Sequence, residues 1–251
     1  PQVRLLTGLP GNSPTVWPSV IEQRTWQYER IAEDPQCHQQ VILNSDRYGF
    51  PRETVEIAYP RRPKPDVSPY PDMLPATLFD SSYDDQQQQL RLTRQRQRYH
   101  HLTDTEYQVL GLPDVVRSDA WAYPAARVPR EGFTLEDLLA ENSLIAPGTP
   151  LTYVGHQRVA YTGTTGTEEK PTRQALVAYT ETAVFDELAL QAFNGALSPE
   201  ALEKKLIESG YLHVSRPLNT GAESAVWVAR QGYTDYGGAE AFYRPLAQRT
   251  T

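Results

Sequence analysis

Cysteine, methionine and lysine are nearly absent: the 251 residues hold one Cys, one Met and four Lys. A lone Cys37 excludes an internal disulfide and a cysteine-built zinc site. Nothing therefore demands an oxidising compartment. No window approaches the roughly 18 uninterrupted apolar residues of a membrane-spanning helix, so no span is expected. The opening Pro1-Gln2-Val3-Arg4 lacks the charged-then-apolar profile of a secretory signal. The sequence leaves the compartment open; an intracellular or virion location fits, and nothing marks the chain as obviously secreted.

Catalytic signatures are missing too. Leu5-Leu6-Thr7-Gly8-Leu9-Pro10-Gly11-Asn12-Ser13-Pro14-Thr15 has the outline of a phosphate-binding loop. Ser13 stands where the second glycine belongs, and Pro14 stands where the lysine belongs. Proline brings neither charge nor an N–H, so no nucleotide is expected there. Cys37 and His38 are neighbours in sequence, which points their side chains apart on a strand or a helix. Cys37 reads as a buried structural residue. His100 and His101 do not share a metal easily, and no other His, Cys or Asp group has ligand spacing. His156 falls in an expected turn. The acidic pairs Asp84-Asp85, Glu168-Glu169 and Asp186-Glu187 read as a helix cap, a loop and a first helical turn, not as carboxylates converging across a cleft. There is no nucleophile elbow. No enzyme, cofactor or metal is expected.

What the chain does have is arginine, 20 against 4 lysines, within a net charge of −7. Arginine suits fork-like pairing with carboxylates and protein interfaces. Global acidity argues against a protein that mainly coats nucleic acid. Aromatics at 10% separate the chain from disordered sequences.

Proline divides the sequence. Twelve of the 21 prolines lie in residues 1–75. Proline fixes φ and pushes its predecessor toward extended geometry. Residues 1–80 are therefore expected as an extended arm with one helix at 19–33, opened by the capping box Ser19-Val20-Ile21-Glu22. The run Tyr59-Pro60-Arg61-Arg62-Pro63-Lys64-Pro65-Asp66 reads as a polyproline-like strap. Apolar anchors follow at Tyr70, Met73, Leu74, Leu78 and Phe79.

Residues 81–131 are expected as a helical linker. Its helix over 82–100 would carry Arg91, Arg94 and Arg98 at i, i+3 and i+7, hence on one side. A second capping box, Thr103-Asp104-Thr105-Glu106, would open a short helix ended by Gly111. Residues 132–230 are expected as a compact α+β unit. Its helices are capped at Thr134 and Ser198-Pro199, with a third over 185–193. Its strands lie near 151–154, 158–163, 174–180, 211–216 and 225–230, with Gly155-His156 as a turn. Residues 231–251, bearing Tyr233, Tyr236, Phe242 and Tyr243, form an aromatic tail.

The fold class expected is thus α+β: a proline-rich arm with isolated helices, then a small sheet with helices. The function expected is a non-enzymatic structural or interaction subunit of a large assembly, such as a phage-like virion component or an accessory subunit. Its partners would be protein subunits, met through the strap anchors, the three arginines and the tail aromatics. The alternative is a nucleic-acid-associated module using the arginine helix.

Overall fold

A computed structural model describes residues 2–7, 15–28, 32–69, 75–129, 131–146, 149, 152–162, 171–216, 225–237 and 244–249. In chain order the elements are β1 Gln2–Thr7, β2 Thr15–Ser19, β3 Glu22–Gln27, β4 Gln36–Ser45, β5 Pro51–Ala58, α1 Ala76–Ser81, β6 Gln89–Thr103, β7 Gln108–Pro124, α2 Leu135–Leu139, β8 Thr152–Tyr161, β9 Val177–Ala183, α3 Glu187–Gln191, α4 Pro199–Glu208, β10 Leu212–Val214, β11 Val226–Gln231, β12 Tyr233–Gly237 and β13 Arg244–Arg249. Nine of these strands form one antiparallel sheet in the order β10-β11-β9-β8-β7-β6-β5-β4-β3, while β1-β2 and β12-β13 are separate hairpins.

The expected α+β class is therefore corrected: the chain is mostly one large antiparallel sheet with few short helices. Two expected helices are strands. Over 19–33, β2 and β3 replace the helix. Glu22 does not close a capping box there. Its carboxylate accepts from Gln39 Nε2 of β4 at 2.9 Å, so a cross-strand bond takes the group the helix needed. Over 82–100, only a 3₁₀ turn, Asp85–Gln88, is helical, and β6 follows. Leu90 and Leu92 are fully buried while Gln89 and Arg91 are exposed. That alternation has the period of a strand, and burying two leucines outweighs the helix propensity of the surrounding Gln and Arg. The helix expected at 103–111 is absent as well. Gly111 lies inside β7 with φ +76°, the left-handed region that glycine favours. Gly155-His156 is no turn: β8 runs straight through it.

The expected caps at Thr134 and Ser198 are present. Thr134 Oγ1 accepts from the Asp137 amide, and the Asp137 carboxylate accepts from the Thr134 amide, forming a capping box. Ser198 caps α4 with Pro199 at its first position. The helix expected at 185–193 is the shorter α3, capped by Asp186. The loop at residues 8–14 lies outside the described residues.

The chain divides into two compact units. The first comprises Pro1–Asn44, Glu53–Arg94 and Ala120–Leu151. Its core is Val41, Val55, Ile57, Leu90 and Leu92 from the strands, covered by Phe133, Leu138 and Ile145 from the α2 region. The second comprises Ser45–Arg52, Gln95–Asp119 and Thr152–Thr251. Its apolar core cluster is smaller, Tyr153, Val226 and Val228, and it buries charge instead.

Candidate functional site

The second unit holds a ladder of arginines and carboxylates laid across its strands. At one end, Arg96 of β6 donates to Asp119 Oδ2 of β7 at 2.7 Å, and Arg117 donates to the other oxygen of Asp119 at 3.0 Å. Asp119 is 1% exposed. In the next rung, Arg98 Nε donates to Asp114, and His100 Nε2 lies 3.5 Å from the same carboxylate. At the far end, Glu181 of β9 is completely buried. Arg216 grips it with two bonds of 2.8 and 3.1 Å, Arg230 of β11 donates at 3.0 Å, and Arg158 of β8 stands 3.5 Å away.

Asp114 and Glu181 have to be ionised to fill this role, and their surroundings keep them so. Burial pushes the Glu181 carboxyl up, but the hydrogen bonds and charges of Arg216, Arg158 and Arg230 outweigh it and hold the group below its ordinary range. Asp114 is held low in the same way, by His100 and Arg98 against burial. Bidentate guanidinium–carboxylate geometry ties strands together with direction as well as strength.

Two uncharged-form groups sit beside the ladder. Burial pushes the Tyr153 phenol up to about 12. Burial also drives His156 down to about 4, and its Nε2 has no hydrogen-bond partner.

His101 is locked elsewhere in the unit. Its Nδ1 accepts from the Gly111 amide at 3.1 Å, which places the ring proton on Nε2, and Nε2 meets Asp46 Oδ2 at 2.6 Å. An Asp–His pair of this kind resembles a catalytic dyad. Here both nitrogens are engaged, so the ring has no lone pair to act as a base. Asp46 Oδ1 meanwhile accepts from the Tyr48 and Phe50 amides. The assembly closes the β4–β5 turn.

The first unit is fastened by a neutral clamp. Tyr59 Oη accepts from the Phe133 amide at 2.8 Å and donates to Gln39 Oε1. Gln39 Nε2 donates to the Phe133 carbonyl at 2.7 Å, as does Arg24 at 2.8 Å. Beside it lies a groove of about 650 Å³, whose lining includes Arg24, Trp26, Cys37, Tyr59, Arg61 and Val128. Cys37 is 7% exposed and burial pushes its thiol up, while His38 faces the other way, exposed. They make no nucleophile–base pair. Among the described residues no three His, Cys, Asp or Glu are grouped to hold a metal, and no helix is long and apolar enough to cross a membrane.

The sequence-derived interface residues are dispersed. Arg91, Arg94 and Arg98 do not share a side, because they lie on strand β6 and odd and even positions face opposite ways. Arg94 pairs with Glu53 at 2.6 Å and Arg98 with Asp114; Arg91 is exposed and donates to Gln86. Phe79 is buried, whereas Leu78 is 49% exposed. The described strap, residues 59–69, is tied to its own unit. Arg61 binds Asp34 at 2.6 Å and stacks on Tyr83, and Lys64 pairs with Asp80. Tyr233 and Tyr236 lie on β12, where Tyr236 donates to the Val177 carbonyl at 2.9 Å. Tyr70, Met73, Leu74, Phe242 and Tyr243 lie outside the described residues. Sequence reasoning missed Asp114, Asp119, Glu181 and Arg158. Their signal is a lone acid or arginine placed within an otherwise apolar strand pattern.

The sheet is stitched by ion pairs between its strands. Residues 1–112 match the family described as the insecticide toxin TcdB middle/C-terminal region. The whole chain is similar, at 48% identity and a TM-score of 0.89, to part of one chain in the crystal structure of TcdB2-TccC3, covering 12% of that chain. The TcdB2-TccC3-Cdc42 crystal structure gives 48% identity and a TM-score of 0.90 over 100% of this chain and 12% of that one. The Tc holotoxin pore of Photorhabdus luminescens gives 49% and 0.85 over 94% of this chain and 11% of that one. No curated protein is matched. The chain is thus homologous to a component of a multi-subunit protein assembly. That component is TcdB of the Tc toxin complex, of whose relatives this chain spans about an eighth. The expectation of a subunit of a multi-subunit assembly agrees with this homology. The virion and nucleic-acid readings are not supported. The arginine helix that motivated the second does not exist, and Arg94 and Arg98 are already held by carboxylates.

Proposed function

We propose that the chain is a non-enzymatic structural segment of a TcdB-type toxin component, one that helps hold a TccC-type protein subunit. The observations that carry this reading are the match of the whole chain, at 48% identity, to part of a chain in the TcdB2-TccC3 crystal structure, and the match of residues 1–112 to the TcdB middle/C-terminal family. The geometry supports it. The titratable groups that sequence might have offered as catalysts are spent on strand-to-strand contacts, as in the Asp46–His101 and Glu181 clusters. Extended-arm contacts with neighbouring subunits belong to the same reading, favoured by Val67 at 80% exposure and Leu78 at 49% in and after the strap.

A segment exchange tests it. TcdB2 carrying residues 1–251 in place of its own homologous segment should still co-elute with TccC3 in size-exclusion chromatography. Val67→Glu with Leu78→Glu in the chimera should weaken that retention. A chimera that is folded by circular dichroism but releases TccC3 overturns the structural reading. So does loss of toxicity on Asp114→Asn with the complex intact, which would assign the ladder a chemical role.

A further inference from the structure

The side chain that fits the scaffold reading least is His156. It is 6% exposed, and its Nε2 has no hydrogen-bond partner. Leaving a buried polar atom unpaired is unfavourable, and nothing in the strand pairing requires a histidine there. Four charged groups from neighbouring elements act on it. Arg158 shares β8 with it, Arg117 lies on β7, Glu181 lies on β9 and Arg216 follows β10. Burial disfavours the charged imidazole most, Glu181 favours it, and Arg117, Arg216 and Arg158 add to the disfavour. Glu181 is already accepting from Arg216 and Arg230.

We infer that His156 is an acid-responsive latch: protonating its enclosed imidazole adds a buried cation among three guanidiniums and loosens the strands β8 and β9 that the ladder joins. At neutral pH the ring is uncharged and compatible with the cluster. Below that, the proton binds readily to the opened state, where the ring meets water, and poorly to the closed one. The closed state is fully favoured above the ordinary histidine value of 6.5 and loses ground as pH falls from there to about 4. The lowered carboxylates do not act in this window, because their stabilisation is lost only below the ordinary carboxylate range. The latch does not depend on the toxin-component reading and stands if that reading fails.

Hydrogen exchange followed by mass spectrometry on the 251-residue chain tests it. Between pH 7.5 and pH 5, protection factors of β8 and β9 amides should fall by roughly 30-fold, the ratio one proton site moving between 6.5 and about 4 produces. His156→Gln, which cannot titrate, should flatten that dependence. A wild-type NMR titration covers the case in which the variant fails to fold: the His156 ring signals should hold still from pH 7.5 to 5. Ring signals that titrate near pH 6.5 in the folded chain, or an unchanged pH dependence in His156→Gln, overturn the inference.

Discussion

Tyr59→Phe removes one oxygen from the clamp that joins Gln39 to Phe133. The ring survives, so its stacking on Phe133 at 6.5 Å between centroids is retained. Two buried groups lose their partner: the Phe133 amide and Gln39 Oε1. Phe133 is 7% exposed and Gln39 is 1% exposed, which leaves water little access to either. The Gln39 amide cannot rotate to compensate, because its Nε2 is committed to the Phe133 carbonyl and to Glu22. Each orphaned group costs about 1–3 kcal/mol, so the variant should lose about 2–6 kcal/mol. That is a large share of a typical 5–15 kcal/mol total. Urea unfolding measures the loss, and hydrogen exchange at the Phe133 amide assigns it to the clamp. In a Gln39→Leu background, where the acceptor is already gone, Tyr59→Phe should cost about half as much. A loss below about 0.5 kcal/mol in the single variant, or full additivity in the double, refutes the clamp.

Gly111→Ala would place a Cβ 2.2 Å from Phe50 Cε1 at φ +76°, so about 2–4 kcal/mol should be lost; adding Phe50→Ala should relieve the clash and leave the backbone strain, as paired thermal melts would show. Glu181→Gln keeps the shape but leaves Arg158, Arg216 and Arg230 around an uncharged amide, and should cost about 3–5 kcal/mol by denaturant titration. Asp114 and Glu181 are both held below their ordinary values, so they stabilise the fold above about pH 4.5 and that contribution is lost as pH falls through their lowered values; an acid titration at high and low salt should place this loss below the histidine window.

Sequence reading succeeded where a local rule decides the structure. Thr134 and Ser198-Pro199 are such places, since a cap needs only the residues beside it. Cys37 was legible as core for a similar reason. It failed where a partner far along the chain decides. Ser19 to Glu22 satisfies the capping-box pattern, yet Glu22 is claimed by Gln39, 17 residues away. The stretch from Gln89 to Tyr99 is rich in helix formers, and propensity is a weak prior beside burial. Its alternation was visible: Leu90, Leu92, Arg94, Arg96 and Arg98 occupy one face, with Arg91, Thr93, Gln95 and Gln97 on the other. That pattern hides because the buried face changes from leucine to arginine midway, and a buried arginine looks polar until its carboxylate is known. Asp114, Asp119 and Glu181 sit 16, 23 and 23 residues from Arg98, Arg96 and Arg158, respectively, and only pairing reveals them.

The ladder also bears on why such a sheet would bury charge at all. Replacing a buried ion pair with apolar residues of similar volume is often neutral or stabilising, so stability alone does not explain six arginines meeting three carboxylates among the described residues. Register does. A slip of one residue in a strand turns each side chain to the opposite face. In an apolar strand the cost of that slip depends on how well the new face packs. In β6 it would carry Arg96 and Arg98 away from Asp119 and Asp114, carboxylates only 1% and 4% exposed, and break one ion pair at each. Breaking one such pair costs about 3–5 kcal/mol, far more than the few tenths of a kcal/mol by which cross-strand apolar neighbours differ. In a sheet of nine strands, many pairings bury similar amounts of apolar surface. The charges separate the correct one from the rest, and they do so where the second unit has only a small apolar cluster to guide it.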